Sequence, residues 1–260
     1  MKHRITIVSF FAWIACLTPV HGQETIRHYL SGTGSDDAVN WQFYCTEGRN
    51  AGKWTTIPVP SCWELQGFGK YDCGFAKDSV RGKEKGLYKY TFTVPTGWKN
   101  KKINIVFEGS MTDTDVKING RSAGPVHQGA FYRFRYDISK LVKFGKSNLL
   151  EVTVSKHSAN ESVNAAERRA DYWIFGGIFR PVYLEVLPLH HIEQVAIDAK
   201  ANGAFNAAII TQGKHDSIVL QLYDKDGAPA GASVTERTVQ EGPTFISTKY
   251  AATLPWSPEF

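Results

Sequence analysis

Short runs of alternating large and polar residues, each closed by a turn residue, recur through most of this chain and leave it few ways to fold. Leu87 to Val94 reads L-Y-K-Y-T-F-T-V, a period of two that buries one face of a strand. Pro95, with no backbone N–H, stops it. Asn119-Gly120 follows the strand-like V-K-I and is the kind of pair that accepts the positive φ of a two-residue hairpin. Asp137 stands where it can cap a short helical turn over 138–142, with Gly145 as its exit. Repeated short strands separated by turns specify an all-β sandwich and argue against the strand-helix alternation of a parallel sheet. Spacing leaves the strand order open between a jelly roll and an immunoglobulin-like arrangement.

The stretch from Asp171 to Pro188, D-Y-W-I-F-G-G-I-F-R-P-V-Y-L-E-V-L-P, joins a shaped loop to a strand. Val182 to Leu187 has the β-branched and aromatic content of a strand. Gly176 and Gly177 mark a tight corner, where backbone passes close to a surface that a side chain would foul. Asp171 and Arg180 flank that corner, either as an ion pair or as a carboxylate and a guanidinium open to a ligand. Tyr172, Trp173, Phe175 and Phe179 supply aromatic area, which is core material by default.

This stretch resembles the closing segment of the N-terminal sugar-binding domain of glycoside hydrolase family 2, where an Asp-x-Trp-x-x-(Ser/Gly)-Gly-Ile-(Phe/Tyr)-Arg run precedes a strand. Further pieces follow in the family's order: I-P-V-P-S-C-W-E-L-Q-G-F-G from Ile57, G-L-Y-K-Y-T-F-T-V-P from Gly86, I-V-F-E-G-S from Ile105 and V-K-I-N-G from Val116. F-R-Y-D-I-S-K-L-V from Phe134 and S-N-L-L-E-V-T-V from Ser147 complete the set. The resemblance implies a jelly-roll, galactose-binding-like β-sandwich over 41–188, then an incomplete immunoglobulin-like β-sandwich over 189–260, in a β-galactosidase-like enzyme.

For the site, the resemblance implies that Asp171 is the carboxylate that reaches a neighbouring active site to hold a sodium ion and sugar hydroxyls. The family's Val-Pro-Ser-Asn-Trp run hydrogen-bonds the sugar through its Asn, but here Cys62 stands in that place, and a thiol lacks the amide's donor and acceptor pair. Trp63 either stacks on a sugar face or anchors the loop. Arg180 joins these as a substrate-binding candidate. Catalysis in the family belongs to two glutamates on a following (β/α)₈ barrel, which needs on the order of 200 residues or more. The sequence has no room for one after 260. Glu64, Glu108, Glu151, Glu161, Glu167 and Glu185 lie outside any catalytic context, and Glu108 and Glu185 read as surface or pairing residues. The chain itself is therefore expected to lack catalytic residues and to need no cofactor, sodium or magnesium being a matter for the longer enzyme. Its expected partners are a β-glycoside and the enzyme's own barrel. Two other readings stand beside this one: a free-standing carbohydrate-binding module or lectin with Asp171, Arg180, Trp63 and Trp173 along a groove, and an assembly domain that forms a homo-oligomer.

Targeting and composition set the outer limits. M-K-H-R, the apolar run Ile5 to Leu17 and Val20-His21-Gly22 form a secretory signal cleaved near Gly22, the run being short for a membrane span. Secretion or a periplasmic location follows, and Cys16 gives only a partial lipoprotein pattern. A polar arm, 23–40, leads to Trp41. The formal charge of +5 is mild, and basic residues are scattered, which argues against a nucleic-acid partner. Four cysteines are present; without Cys16 the set is odd, with Cys62 and Cys73 the candidates for a disulfide in an oxidising compartment. Neither zinc-ligand spacing nor a phosphate loop occurs. After Pro188 the runs Ile192 to Asp198, Phe205 to Thr211 and Ser217 to Tyr223 read as three successive strands of a smaller β-unit. The closing L-P-W-S-P-E-F resembles a stretch inside the family's second domain.

Overall fold

The computed structural model describes residues 24–77, 82–237 and 242–250. The expected signal segment and the L-P-W-S-P-E-F stretch lie outside the described residues.

The first unit comprises β1 (Ile26–Tyr29), β2 (Val39–Cys45), β3 (Trp54–Val59), β4 (Asp72–Cys73), β5 (Lys85–Thr93), β6 (Lys102–Phe107), β7 (Asp113–Ile118), β8 (Arg121–Ser122), β9 (Phe134–Asp137), β10 (Ser147–Ser155), a short helix α1 (Glu161–Glu167), β11 (Trp173–Ile174) and β12 (Val182–Leu187). One sheet has the order β1-β12-β6-β9 and the other β3-β2-β5-β10-β7-β8. From β5 to β10 the long strands alternate between the sheets, the crossing pattern of a jelly roll. Ile103, Ile105 and Phe107 of β6 and Val182, Leu184 and Val186 of β12 meet Trp41, Phe43, Tyr88, Phe92, Val152 and Val154 from the opposite sheet. Each such side chain contributes roughly 1.5–3 kcal/mol by leaving water.

The local signals act as their residue types dictate. Asn119 and Gly120 both take positive φ, 53° and 78°, between β7 and β8. The Asp137 Oδ1 accepts from the Ser139 backbone N–H at 2.9 Å, and the turn closes through Leu141 N–H to the Ile138 carbonyl at 2.8 Å. The polar segment before Trp41 differs from the expected arm. Residues Ile26–Tyr29 pair along β12 from Ile26↔Val186 to Tyr29↔Tyr183, because an edge strand is held by backbone hydrogen bonds and needs little apolar side chain of its own.

The second unit begins after Pro188 with β13 (His191–Ala199) and β14 (Ala204–Gln212), followed by β15 (Ile218–Leu220), β16 (Val234–Glu236) and β17 (Pro243–Lys249). Its first two expected strands pair with each other. The third does not join them: β15 pairs with β16, and β17 takes the place beside β14. The reason is a small separate core, in which Phe205, Ala207 and Ile209 on one face of β14 pack with Ile218 and Ile246.

Candidate functional site

Two loops carry the expected site residues, and the fold ties them together from beneath. The Ser61 N–H donates to the Ile178 carbonyl at 2.8 Å and the Trp63 N–H to the Gly176 carbonyl at 3.0 Å. β4 pairs with β11 through Trp173↔Cys73 and Ile174↔Asp72. The Val59-Pro60 bond that leads into the first loop is cis.

Trp63 is wholly buried, so of its two expected roles the position is that of loop anchor, and a sugar cannot reach its ring. The indole packs against Phe43, ring centroids 6.2 Å apart. A Cβ on Gly176 would stand 2.0 Å from Trp63 Cζ2, and one on Gly86 2.6 Å from Cζ3. Both positions therefore require glycine. Gly177 takes φ +123° directly after it.

Below the loops lies a group of buried charges that the motif reading passed over. Lys156 Nζ lies 2.9 Å from Glu64 Oε1, 3.1 Å from Glu84 Oε1 and 3.4 Å from Asp72 Oδ2, with all four side chains essentially without solvent contact. Lys156 also donates to the Lys70 carbonyl. Glu64 accepts from the Gly176 N–H at 2.9 Å, and Asp72 from the Gly82 N–H at 2.7 Å. One ammonium serves three carboxylates. Burial pushes the Glu64 carboxyl up from its usual range, further than Lys156 pulls it down. Lys156 is pushed up too, because the facing carboxylates outweigh its own burial penalty. The sequence did carry a signal for this group. Val152, Val154 and Lys156 share one parity on β10 and its continuation, so the alternation that buries the valines aims the lysine inward as well.

Arg168, also buried, donates from Nη1 to the Phe175 carbonyl at 3.0 Å, fixing the strip that joins α1 to the Gly-Gly corner. Asp171, between Arg168 and β11, is exposed. Around it stand exposed aromatics: Trp173 is tilted against Tyr71 with centroids 4.7 Å apart, and the Tyr172 hydroxyl donates to the Glu167 carbonyl. Of the two readings of Asp171 and Arg180, the ion pair does not occur among the described residues. Arg180 lies instead over the Phe179 ring, 5.0 Å from its centroid, with Nη1 3.4 Å from the Phe131 carbonyl. Cys62 is half-buried and burial pushes its thiol up to about 11. Cys62 and Cys73, the candidates for a disulfide, are both free thiols, as is Cys45. Glu108 and Glu185 are pairing residues, Glu108 accepting from the Tyr183 hydroxyl at 2.7 Å and Glu185 from Asn104 Nδ2 at 3.0 Å.

A lone carboxylate makes no cation site. Among the described residues no three His, Cys, Asp or Glu side chains gather in a metal-holding group, so Asp171 offers one ligand and no more.

The first unit is thus a jelly-roll β-sandwich that presents the exposed Asp171 carboxylate among aromatics, on a loop fixed by a buried tryptophan. Residues 38–188 match the model for "Glycosyl hydrolases family 2, sugar binding domain", and the chain belongs to that family. It is 30% identical over 180 residues to a β-galactosidase of Thermoanaerobacter pseudethanolicus, covering 66% of this chain and 24% of that protein. It is 29% identical over 209 residues to a β-glucuronidase of Bacteroides fragilis, covering 80% and 28%. A solved β-glucuronidase of Bacteroides uniformis superposes with TM-score 0.65 at 20% identity, over 91% of this chain and 29% of that one. A β-glycosidase of Bacteroides vulgatus gives 0.62 at 24% identity, over 91% and 30%. The chain thus spans about a quarter of the length of the curated relatives it matches, and the described residues contain no catalytic barrel.

Proposed function

We propose that this chain is the substrate-side β-sandwich portion of a secreted, β-galactosidase-like β-glycoside hydrolase, without catalytic residues of its own. One observation carries the reading: the two loops that hold the family's sugar contacts are joined through Ser61–Ile178 and Trp63–Gly176 hydrogen bonds, leaving Asp171 exposed above a rigid base. Asp171 would accept hydrogen bonds from sugar hydroxyls, a carboxylate being the strongest acceptor available for them. It would also be this chain's single ligand to any sodium or magnesium whose other ligands lie outside the described residues. Cys62 has only a weak S–H donor where the family has an amide. That favours a looser grip on the sugar than in relatives with Asn. The catalytic barrel is the partner that would complete the site, with the exposed Tyr71, Tyr172 and Trp173 facing it.

The test has two arms on the purified chain. Nitrophenyl β-galactoside and β-glucuronide are expected to show no turnover, and turnover would overturn the non-catalytic assignment. Methyl β-D-galactoside followed by NMR is expected to shift amide signals of Asp171, Trp173 and Cys62, with the shifts lost in Asp171→Ala. Shifts confined to other regions would overturn the placement of the sugar-facing loops.

A further inference from the structure

The peptide between Phe175 and Gly176, at the entrance to the Gly-Gly corner, is gripped on both sides by buried charge. Its carbonyl accepts from Arg168 Nη1 at 3.0 Å. Its N–H, which points the opposite way in a trans peptide, donates to Glu64, 2.9 Å from Oε2 and 3.1 Å from Oε1. Arg168 and Glu64 are both nearly without solvent contact. The guanidinium thus meets the negative end of the peptide dipole and the carboxylate the positive end, and both hydrogen bonds are charge-assisted. Turned over, the same peptide would set its carbonyl against Glu64 and its N–H against Arg168, an orientation that both charges oppose. The next peptide is fixed as well, since the Gly176 carbonyl accepts from the Trp63 N–H. Without these contacts two successive glycines would leave the corner free to turn.

The two charges come from the segments that carry the sugar-facing residues. Glu64 follows Cys62 and Trp63 in sequence, and Arg168, at the C-terminal end of α1, shortly precedes Asp171. Lys156 extends the hold: it lies 2.9 Å from Glu64 Oε1 and 3.4 Å from Asp72 Oδ2, and Asp72 on β4 pairs with Ile174 on β11. Burying Arg168 is costly. Its Nε and Nη2 are buried with no hydrogen-bond partner among the described residues, and burial pulls the guanidinium below its ordinary range. A corner that needed only packing would be served as well or better by apolar side chains of similar volume. Asp171, by contrast, is exposed, and its carboxylate makes no hydrogen bond or ion pair among the described residues, so its placement is inherited from the backbone.

We infer that Arg168 and Glu64 are positioning residues for the Asp171 carboxylate: by gripping one peptide from opposite sides they set the path of the segment from Asp171 to Gly177, without touching the sugar. The inference rests on the reading of Asp171 as the sugar-facing group and deepens it. No bond is made or broken.

The test follows methyl β-D-galactoside binding to the whole chain by NMR, with the folding of each sample checked by near-UV circular dichroism. Glu64→Leu and Arg168→Met are expected to weaken binding about tenfold, the loss of one charge-assisted hydrogen bond from the hold on the loop. Both should also displace the sugar-free amide signals of Asp171 and Trp173. Glu64→Gln keeps an acceptor for the Gly176 N–H and leaves Lys156 with Glu84 and Asp72, so it should recover most of the affinity. Ile103→Val thins the core where β6 pairs with β12 and should lower stability with binding unchanged, which separates positioning from stability in general. In the unaltered chain the Gly176 amide should exchange with solvent as slowly as the amides of β12. Undiminished binding by both Glu64→Leu and Arg168→Met, no recovery in Glu64→Gln, or fast exchange at Gly176 would each overturn the inference. Failure of the sugar reading gives a different result: no binding by the parent, with the Asp171 and Trp173 signals still displaced in Glu64→Leu and Arg168→Met.

Discussion

Trp63 and Gly176 are in such close apposition that a single methyl group on the glycine would stand 2.0 Å from the indole Cζ2. The contact joins the loop carrying Cys62 to the loop carrying Asp171. It works together with the Trp63 N–H to Gly176 carbonyl hydrogen bond and the Glu64 carboxylate on the Gly176 N–H.

Gly176→Ala should therefore cost far more than a surface change. The added carbon meets a fully buried ring that is held on its other side by Phe43 and Gly86, and overpacking of this kind costs about 1–3 kcal/mol or more. Urea unfolding would measure it. Unchanged stability together with unchanged NMR shifts at Asp171 would show that the two loops are not rigidly joined.

Lys156 is the buried cation shared by Glu64, Asp72 and Glu84, the exposed Lys70 lying 3.9 Å from Asp72 Oδ1 at the edge of the group, so Lys156→Met should destabilise by about 3–5 kcal/mol at neutral pH, the cost of leaving the buried Glu64 and Glu84 carboxylates without their ammonium. The pH dependence has a definite sign. Lys156 is held above its usual value, so its contribution is complete below the unfolded lysine value and disappears as pH rises through the folded one. Glu64 is also held above its usual value. For an acid this means that the folded form keeps its proton more tightly, and its contribution falls as pH rises from the unfolded value through the folded one. The stability difference between the parent and Glu64→Gln should accordingly move against the parent as pH rises above about 4.5. A difference that grows in the parent's favour over that range would reverse the assignment.

The free state of Cys62 and Cys73 is measurable directly. With its thiol pushed up to about 11, Cys62 is about 0.1% thiolate at pH 8, and only the thiolate attacks a disulfide reagent. Its labelling in the folded chain should be far slower than in urea. An intact mass two hydrogens lighter under non-reducing conditions would show that the two do pair.

What the sequence disclosed and what it concealed divide along physical lines. Period-two runs and turn residues such as Asn119-Gly120 act through local backbone chemistry, so the sandwich, its hairpin and the Asp137 cap could be read from adjacent residues alone. The colinear motifs located Asp171 and the Gly-Gly corner. They did not show that Trp63 is the object the corner packs against, because Gly86 and Gly176 lie far from it in sequence. Polar stretches misled where backbone pairing replaces side-chain burial, as in β1. Lys156 was legible by parity, but a lysine at the end of an alternating run reads as a surface residue until three carboxylates from other segments converge on it.

Glu193 links the second unit to the first. A register shift between Ile192 and Gln194 sets it apart from the β13–β14 ladder. Its carboxylate meets Lys102 at 3.5 Å, His191 at 2.9 Å and Arg135. Burial alone would raise its pKa, but the His191 hydrogen bond and the Lys102 and Arg135 charges outweigh that and hold it below the usual range. A depressed acid stabilises above its unfolded value, and the contribution disappears as pH falls through the folded one. Glu193→Gln should cost about 1 kcal/mol at neutral pH, since the site is a network and only partly buried. The difference from the parent should shrink toward zero between neutral pH and an acid pH below the depressed folded value, where both carry a neutral side chain. Unfolding curves at the two pH values decide it: an equal deficit at both would mean that Glu193 acts through packing, and that charge does not hold the two β-units together.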